Sequence, residues 1–134
     1  KAFYEMLGFK VYWPVPETNT TEIANAVGMP SYQVEGALME LQNAQQRMVI
    51  DLLEWKSPRD DSPPYPNLHR PGLSRVALAS ADIDADYAFL VEQGVEVVSA
   101  PVNVIMSETS HARFFCFKDR DGTFLELVQV ITTE

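Results

Sequence analysis

Apolar and polar residues alternate in short stretches of this chain, with prolines and glycines between them. The clearest stretch is DRDGTFLELVQV, residues 119–130, in which a glycine-containing turn leads into a predicted strand. Strand alternation places Phe124, Glu126 and Val128 on one face. An ionised carboxylate among apolar side chains requires a cation, a hydrogen-bond network or water. The pattern therefore marks Glu126 as a candidate functional residue.

Short strands and helices are predicted along the rest of the chain. Gly8 and Gly94 each end a predicted helix and are each followed by a strand, in FYEMLGFKV and FLVEQGVEV. In the first half we expect a helix at 1–7, a strand at 9–13 and a helix at 18–29. The two strands of a hairpin follow at 31–42 and 47–55. In the second half we expect a strand at 72–80, a helix at 82–93 and a strand at 95–101. A loop at 102–110 that could act as a lid follows, and then two strands at 111–119 and 124–130.

The two halves repeat one pattern. The segments VIDLLEW and FLELVQV each place one acid inside an apolar strand, Asp51 and Glu126. Each half is therefore predicted to have the order β-α-β-β-β, except that the first half lacks its opening strand. The corresponding strand of the second half contains Arg75, and its counterpart would precede residue 1. Repeats of this kind predict a ligand site between the two halves.

A segment rich in proline separates the halves. Residues 56–71, KSPRDDSPPYPNLHRP, have no hydrophobic periodicity, which predicts a semi-rigid connector. The predicted organisation is therefore a first module at 1–55, the connector at 56–71 and a second module at 72–134.

Composition and charge narrow the class of protein. A net charge of −9 over 134 residues argues against nucleic acid as a partner and permits a cationic ligand, although an acidic surface also simply aids solubility. No segment is long and apolar enough for a membrane span, so we expect no membrane partner. The single cysteine, Cys116, excludes an internal disulfide and makes a cytoplasmic location the simplest expectation.

The sequence resembles the vicinal oxygen chelate superfamily, which contains glyoxalases, bleomycin-resistance proteins and ring-cleaving dioxygenases. The resemblance covers nearly the whole chain and is carried by AFYEMLGF, VGMPSYQVEGALMEL, IDLLEW, PGLSRVALASADIDADYAFLVEQGV and FKDRDGTFLELVQV. It implies an α+β fold in which two β-α-β-β-β modules form a curved mixed sheet around a shared cavity. It also implies a homodimer.

The resemblance further implies where a metal would bind. Members that use a metal take one residue from the opening strand of each module, usually histidine, and one acid from each last strand. The acids match Asp51 and Glu126, and the second opening-strand position matches Arg75. Arginine stays protonated and has no lone pair to donate. We therefore expect no complete metal site and no cofactor, although two carboxylates could hold a divalent ion such as Mg²⁺ or Mn²⁺.

Two functions follow from these expectations, with a third interpretation in which the charged residues form only a structural ion-pair network. The favoured function is binding of a small organic molecule, cationic or aromatic, without a complete metal site. The alternative is a divalent-metal-dependent lyase, isomerase or dioxygenase that acts on vicinal oxygens, with Glu126 as the catalytic acid. The residues expected to contact the ligand are Arg75, Asp51, Trp55, Tyr32, Met106 and Phe115.

Overall fold

The structure is a computed structural model that describes residues 1–73 and 75–132. It divides into two compact units, Lys1–Ser62 and Pro63–Glu134. Each unit combines at least one helix with one open β-sheet, which confirms the predicted α+β class. Ser74, which belongs to a predicted strand, lies outside the described residues, as do residues 133 and 134 of the predicted second module.

The first unit consists of two short helices and an antiparallel sheet with the strand order β1-β2-β3. The predicted hairpin is confirmed, because β2 and β3 pair directly. Thr20 caps the second helix, as its hydroxyl accepts a hydrogen bond from the Ile23 N–H at 3.3 Å. The elements of this unit are α1 (Ala2–Met6), β1 (Phe9–Val15), α2 (Thr21–Ala26), β2 (Gln33–Leu41) and β3 (Val49–Ser57).

Strand β1 is longer than the sequence predicts. The predicted strand at 9–13 ends before Pro14, but Pro14 pairs with Ala37 and the strand continues to Val15. Strand β1 lies at the edge of the sheet. Proline has no backbone N–H to donate, and an edge strand tolerates it because the outward-facing backbone groups of such a strand form no ladder hydrogen bonds.

In its described part, the second unit contains one helix and a mixed four-stranded sheet with the order β4-β7-β6-β5. Strand β4 runs parallel to β7, and the other pairs are antiparallel. The Asp82 carboxylate caps the helix as predicted, since it accepts a hydrogen bond from the Ala85 N–H at 3.1 Å. The elements are β4 (Val76–Ala79), α3 (Ile83–Glu92), β5 (Val102–Ile105), β6 (Ser110–Lys118) and β7 (Phe124–Thr132).

One strand of the second unit lies later in the chain than predicted. Residues 95–101 were expected to form a strand, but they form only an isolated bridge between Val97 and Phe117. Residues 102–110 were expected to form a loop, yet Val102–Ile105 pairs with β6 as a hairpin. The apolar character of the two segments is similar, and the partner strand decides which of them joins the sheet.

Helix α3 covers one face of the second sheet. The Gln129 side chain accepts a hydrogen bond from the Ile83 N–H at 3.2 Å and donates one to the Ala81 carbonyl at 2.7 Å. The Tyr87 ring meets the Phe115 ring edge-on, with 5.3 Å between centroids. The core of this unit therefore lies between α3 and the face of the sheet that carries Phe115 and Gln129.

Among residues 1–73 and 75–132, the helices are too short or too polar to cross a bilayer.

Candidate functional site

The face of the second sheet opposite α3 carries Glu126 near its centre. Alternation along β6 and β7 places Phe114, Cys116, Glu126 and Val128 on this face, because Phe115 and Gln129 point towards α3. Glu126 is buried, and it lies opposite Cys116 on one side and Ala77 on the other. We call this surface the Glu126 face.

Arg75 provides the cation that the buried carboxylate requires. It directly precedes β4, which runs beside β7, so the parallel pairing brings its side chain to Glu126. The Arg75 Nε atom lies 2.6 Å from Glu126 Oε2. The Arg75 side chain is 41% exposed and the Glu126 side chain 11% exposed. The pair therefore has one buried member and one that reaches solvent.

The Cys116 thiol is the third polar group of this cluster. Its Sγ atom lies 3.8 Å from Glu126 Oε2. Burial raises the pKa of the Cys116 thiol, and the negative charge of Glu126 raises it further. Cys116 is therefore a protonated thiol at neutral pH, and the environment does not favour a nucleophilic thiolate.

The residues around Glu126 do not fit the metal site that the resemblance implies. The guanidinium of Arg75 contacts one oxygen of the Glu126 carboxylate, and it has no lone pair for a metal. The thiol beside it holds its proton, whereas metal ligation requires a thiolate. Within the described residues, no group of three or more His, Cys, Asp or Glu side chains is close enough to hold an ion.

The predicted site residues of the first unit lie in strand β3, which contains Asp51 and Trp55, and just before strand β2, where Tyr32 lies. The rings of Tyr32 and Trp55 lie together, with centroids 4.8 Å apart and an angle of 53° between their planes. The Tyr32 N–H donates to Asn19 Oδ1 at 2.9 Å, which fixes the backbone at this point. Asp51 lies opposite Leu38 in the sheet and is exposed.

Two further predicted ligand contacts lie in the second unit. Met106 is 59% exposed in the turn between β5 and β6, where its N–H donates to the Ser110 carbonyl. Phe115 is completely buried against Tyr87 and packs in the core under α3. The half-buried phenyl ring on the Glu126 face is that of Phe114, its neighbour in the sequence.

Sequence reasoning did not find a groove between the connector and the beginning of β7. Its volume is about 220 Å³. The prolines and the tyrosine of the connector were the available signal, but without periodicity they gave no register relative to the sheet. The lining residues are Pro64, Tyr65, Leu73, Thr123 and Phe124.

The helices and the two β-sheets, one in each unit, define an α+β fold. Residues 1–127 match the family model of the Glyoxalase/Bleomycin resistance protein/Dioxygenase superfamily, and the chain belongs to this family. The family expected from the sequence is therefore confirmed. No curated protein sequence matches the chain.

Several solved structures have the same fold. A glyoxalase family protein from Bacillus cereus matches with 23% identity and a TM-score of 0.74, over 97% of this chain and 83% of that one. A superfamily member from Sphaerobacter thermophilus matches with 22% identity and a TM-score of 0.54, over 95% and 82%. TnmS3, an antibiotic binding protein from Streptomyces, matches with 23% identity and a TM-score of 0.54, over 95% and 79%.

Proposed function

We propose that the protein binds a small organic molecule at the Glu126 face, where Arg75 takes the electrostatic place of a metal ion. The observation that carries the proposal is the 2.6 Å contact between Arg75 Nε and Glu126 Oε2. A guanidinium held at this carboxylate satisfies its charge and offers donors to a ligand, but it does not provide a Lewis acid.

The chemistry of the Glu126 face supports this proposal. Small-molecule sites are mostly apolar, with a few polar groups that fix the orientation of the ligand. Phe114 and Val128 are half-buried on this face, and Val102 and Val104 of β5 remain exposed beside them. The partly exposed Arg75 supplies the polar group.

Other predicted properties of the protein belong to the same proposal. TnmS3 is named as an antibiotic binding protein, which is consistent with a binding role for a chain of this fold. The ligand is aromatic, and if it is cationic its contact with the Phe114 ring of this face would contribute about 0.5 to 2 kcal/mol. We further propose a homodimer in the cytoplasm, where Cys116 would stay reduced.

Thermal unfolding in the presence of a panel of cationic and neutral aromatic compounds tests the binding function. We expect saturable stabilisation of the wild-type protein in the presence of a chelator, and its loss in Arg75→Leu. Arg59→Leu is the matched control, because Arg59 also pairs with carboxylates, those of Asp61 and Glu54. Unlike Arg75, it lies far from β7 in the sequence, and its partners are exposed. Stabilisation that requires an added divalent metal, or that survives in Arg75→Leu, would contradict the proposal.

A further inference from the structure

The groove beside the connector has aromatic and aliphatic walls. The Tyr65 and Leu73 side chains are exposed in it, and Leu73 is 75% exposed. Phe124 is buried and lines the groove. Two lining side chains, those of Thr123 and Tyr65, carry a hydroxyl group. A volume of about 220 Å³ is below the usual range of about 300 to 1,000 Å³ for ligand pockets, so the ligand must be small.

Two glycines with positive φ lie close to Pro64 and Tyr65, the connector residues of the second unit. Gly72 has φ +122°, and a Cβ atom there would lie 2.8 Å from the Tyr65 ring. Gly122 has φ +90°, and a Cβ atom there would lie 3.3 Å from Pro64 Cγ. A side chain at either glycine would therefore collide with a wall of the groove, and glycine lets these walls approach the backbone.

Two cations lie over the aromatic rings of the groove. The Arg70 guanidinium lies 4.6 Å from the Tyr65 ring centroid and forms no ion pair among the described residues. The Lys118 ammonium lies 5.5 Å from the Phe124 ring centroid, but Glu96 neutralises it at 2.6 Å. Arg70 is therefore the cation whose charge remains available to a ligand.

The acidic residues of the neighbouring turn, Asp119 and Asp121, lie outside the lining of the groove. The Asp119 carboxylate accepts hydrogen bonds from the N–H groups of Asp121 and Thr123, at 3.0 and 2.8 Å. Asp121 is exposed to solvent, and none of the five lining residues carries a carboxylate. The net charge of −9 is spread over the whole chain, whereas salt screens charges beyond about 8 to 10 Å, so the nearby guanidinium decides the preference.

We propose that this groove binds a small aromatic carboxylate, with its ring between Tyr65 and Phe124 and its carboxylate at Arg70. The ring would replace water on two aromatic walls, and the carboxylate would give the guanidinium its missing partner. The proposal does not rest on the function proposed for the Glu126 face, because neither Arg75 nor Glu126 lines the groove.

Heteronuclear NMR titration with 2-naphthoate tests the site, with neutral 2-naphthamide as the isostere. We expect saturable shifts at the amides of Thr123 and Leu73, and an affinity for the acid about threefold above that for the amide. Arg70→Gln should abolish this preference, and Tyr65→Ala should weaken binding of both compounds. Arg47→Gln is the matched control, because Arg47 lies over the Tyr12 ring at 5.1 Å in the first unit.

Three results would overturn this proposal. One is an unchanged preference for the acid in Arg70→Gln, and another is tighter binding of the cation 2-naphthylmethylammonium. The third is a set of shifts confined to Cys116 and Val128, which would place the compound on the Glu126 face. If Tyr65→Ala is poorly folded, Gly72→Ala provides the second test, since its Cβ would displace the Tyr65 ring.

Discussion

The main polar contact of Glu126 is with Arg75, and the repeat pattern alone does not identify Arg75 as its partner. The repeat identifies the acids, but the parallel pairing of β4 with β7 brings Arg75 to Glu126. A buried carboxylate is stable only with compensation, and the guanidinium at 2.6 Å provides it. The sequence therefore predicted that Glu126 requires a cation, a hydrogen-bond network or water, and the structure identifies the guanidinium of Arg75 as a cation beside it.

Replacing Arg75 by leucine should destabilise the protein. The substitution leaves the Glu126 carboxylate buried without its cation, which costs about 3 to 5 kcal/mol when a pair is fully buried. Because the Arg75 side chain is 41% exposed, we expect a loss of about 1 to 2 kcal/mol in the free energy of unfolding.

Urea denaturation measures this loss, and Glu126→Gln in the Arg75→Leu background should recover part of it. Arg59→Leu should leave the stability unchanged within error, since its partners are exposed. Equal effects of Arg75→Leu and Arg59→Leu would show that the Glu126 carboxylate is solvated rather than buried.

Cys116 should make the stability of the protein depend on pH in the alkaline range. The folded-state pKa of its thiol is raised above the unfolded value of about 8.5, first by burial and then by the charge of Glu126. The contribution of the neutral thiol is complete below the unfolded pKa and is lost as the pH rises through the folded pKa. Between pH 8 and 10, the free energy of unfolding should therefore fall more steeply for the wild type than for Cys116→Ala. Parallel curves from urea denaturation at each pH would refute this assignment.

At the scale of elements, periodicity identified the strands that pair over their whole length. The hairpin of β2 and β3 and the final strand β7 were predicted close to their observed bounds. Periodicity misplaced β5, because residues 95–98 and Val102–Ile105 have similar β propensity and the sheet partner decides between them. Pro14 was interpreted as a strand end because the edge position of β1 is not visible in the sequence.

Gly36 shows how closely β2 and β3 approach. A Cβ atom at this position would lie 2.2 Å from the Leu52 carbonyl oxygen and 2.8 Å from Leu53 Cδ2. A backbone carbonyl cannot rotate away without disturbing the ladder, so Gly36→Ala should cost about 3 kcal/mol in the free energy of unfolding.

Gly94→Ala is the comparison for this effect. Gly94 has φ +70°, and no heavy atom lies within 4 Å of the position that a Cβ atom would take, so only backbone strain of about 1 kcal/mol is expected. Denaturation of both variants gives the two values. A smaller loss for Gly36→Ala than for Gly94→Ala would mean that the two strands separate easily at this point.

At the scale of the whole molecule, the family was predictable because its residues extend along nearly the full chain, and the family model matches residues 1–127. The groove was not predictable, because it depends on the connector returning to Gly72 and Gly122. The role of Phe115 was also beyond sequence reasoning, since alternation separates Phe114 from Phe115 but does not say which of them faces α3.

Metal analysis tests the central claim most directly, namely that the Arg75 guanidinium stands where a metal would otherwise bind Glu126. The protein is incubated with Mn²⁺, Co²⁺, Ni²⁺ and Zn²⁺, freed of loosely bound ions, and analysed by mass spectrometry beside Glu126→Gln. We predict that the wild type retains far less than one equivalent of any of these metals and that Glu126→Gln retains the same amount. One equivalent of a metal in the wild type that Glu126→Gln loses would contradict the account.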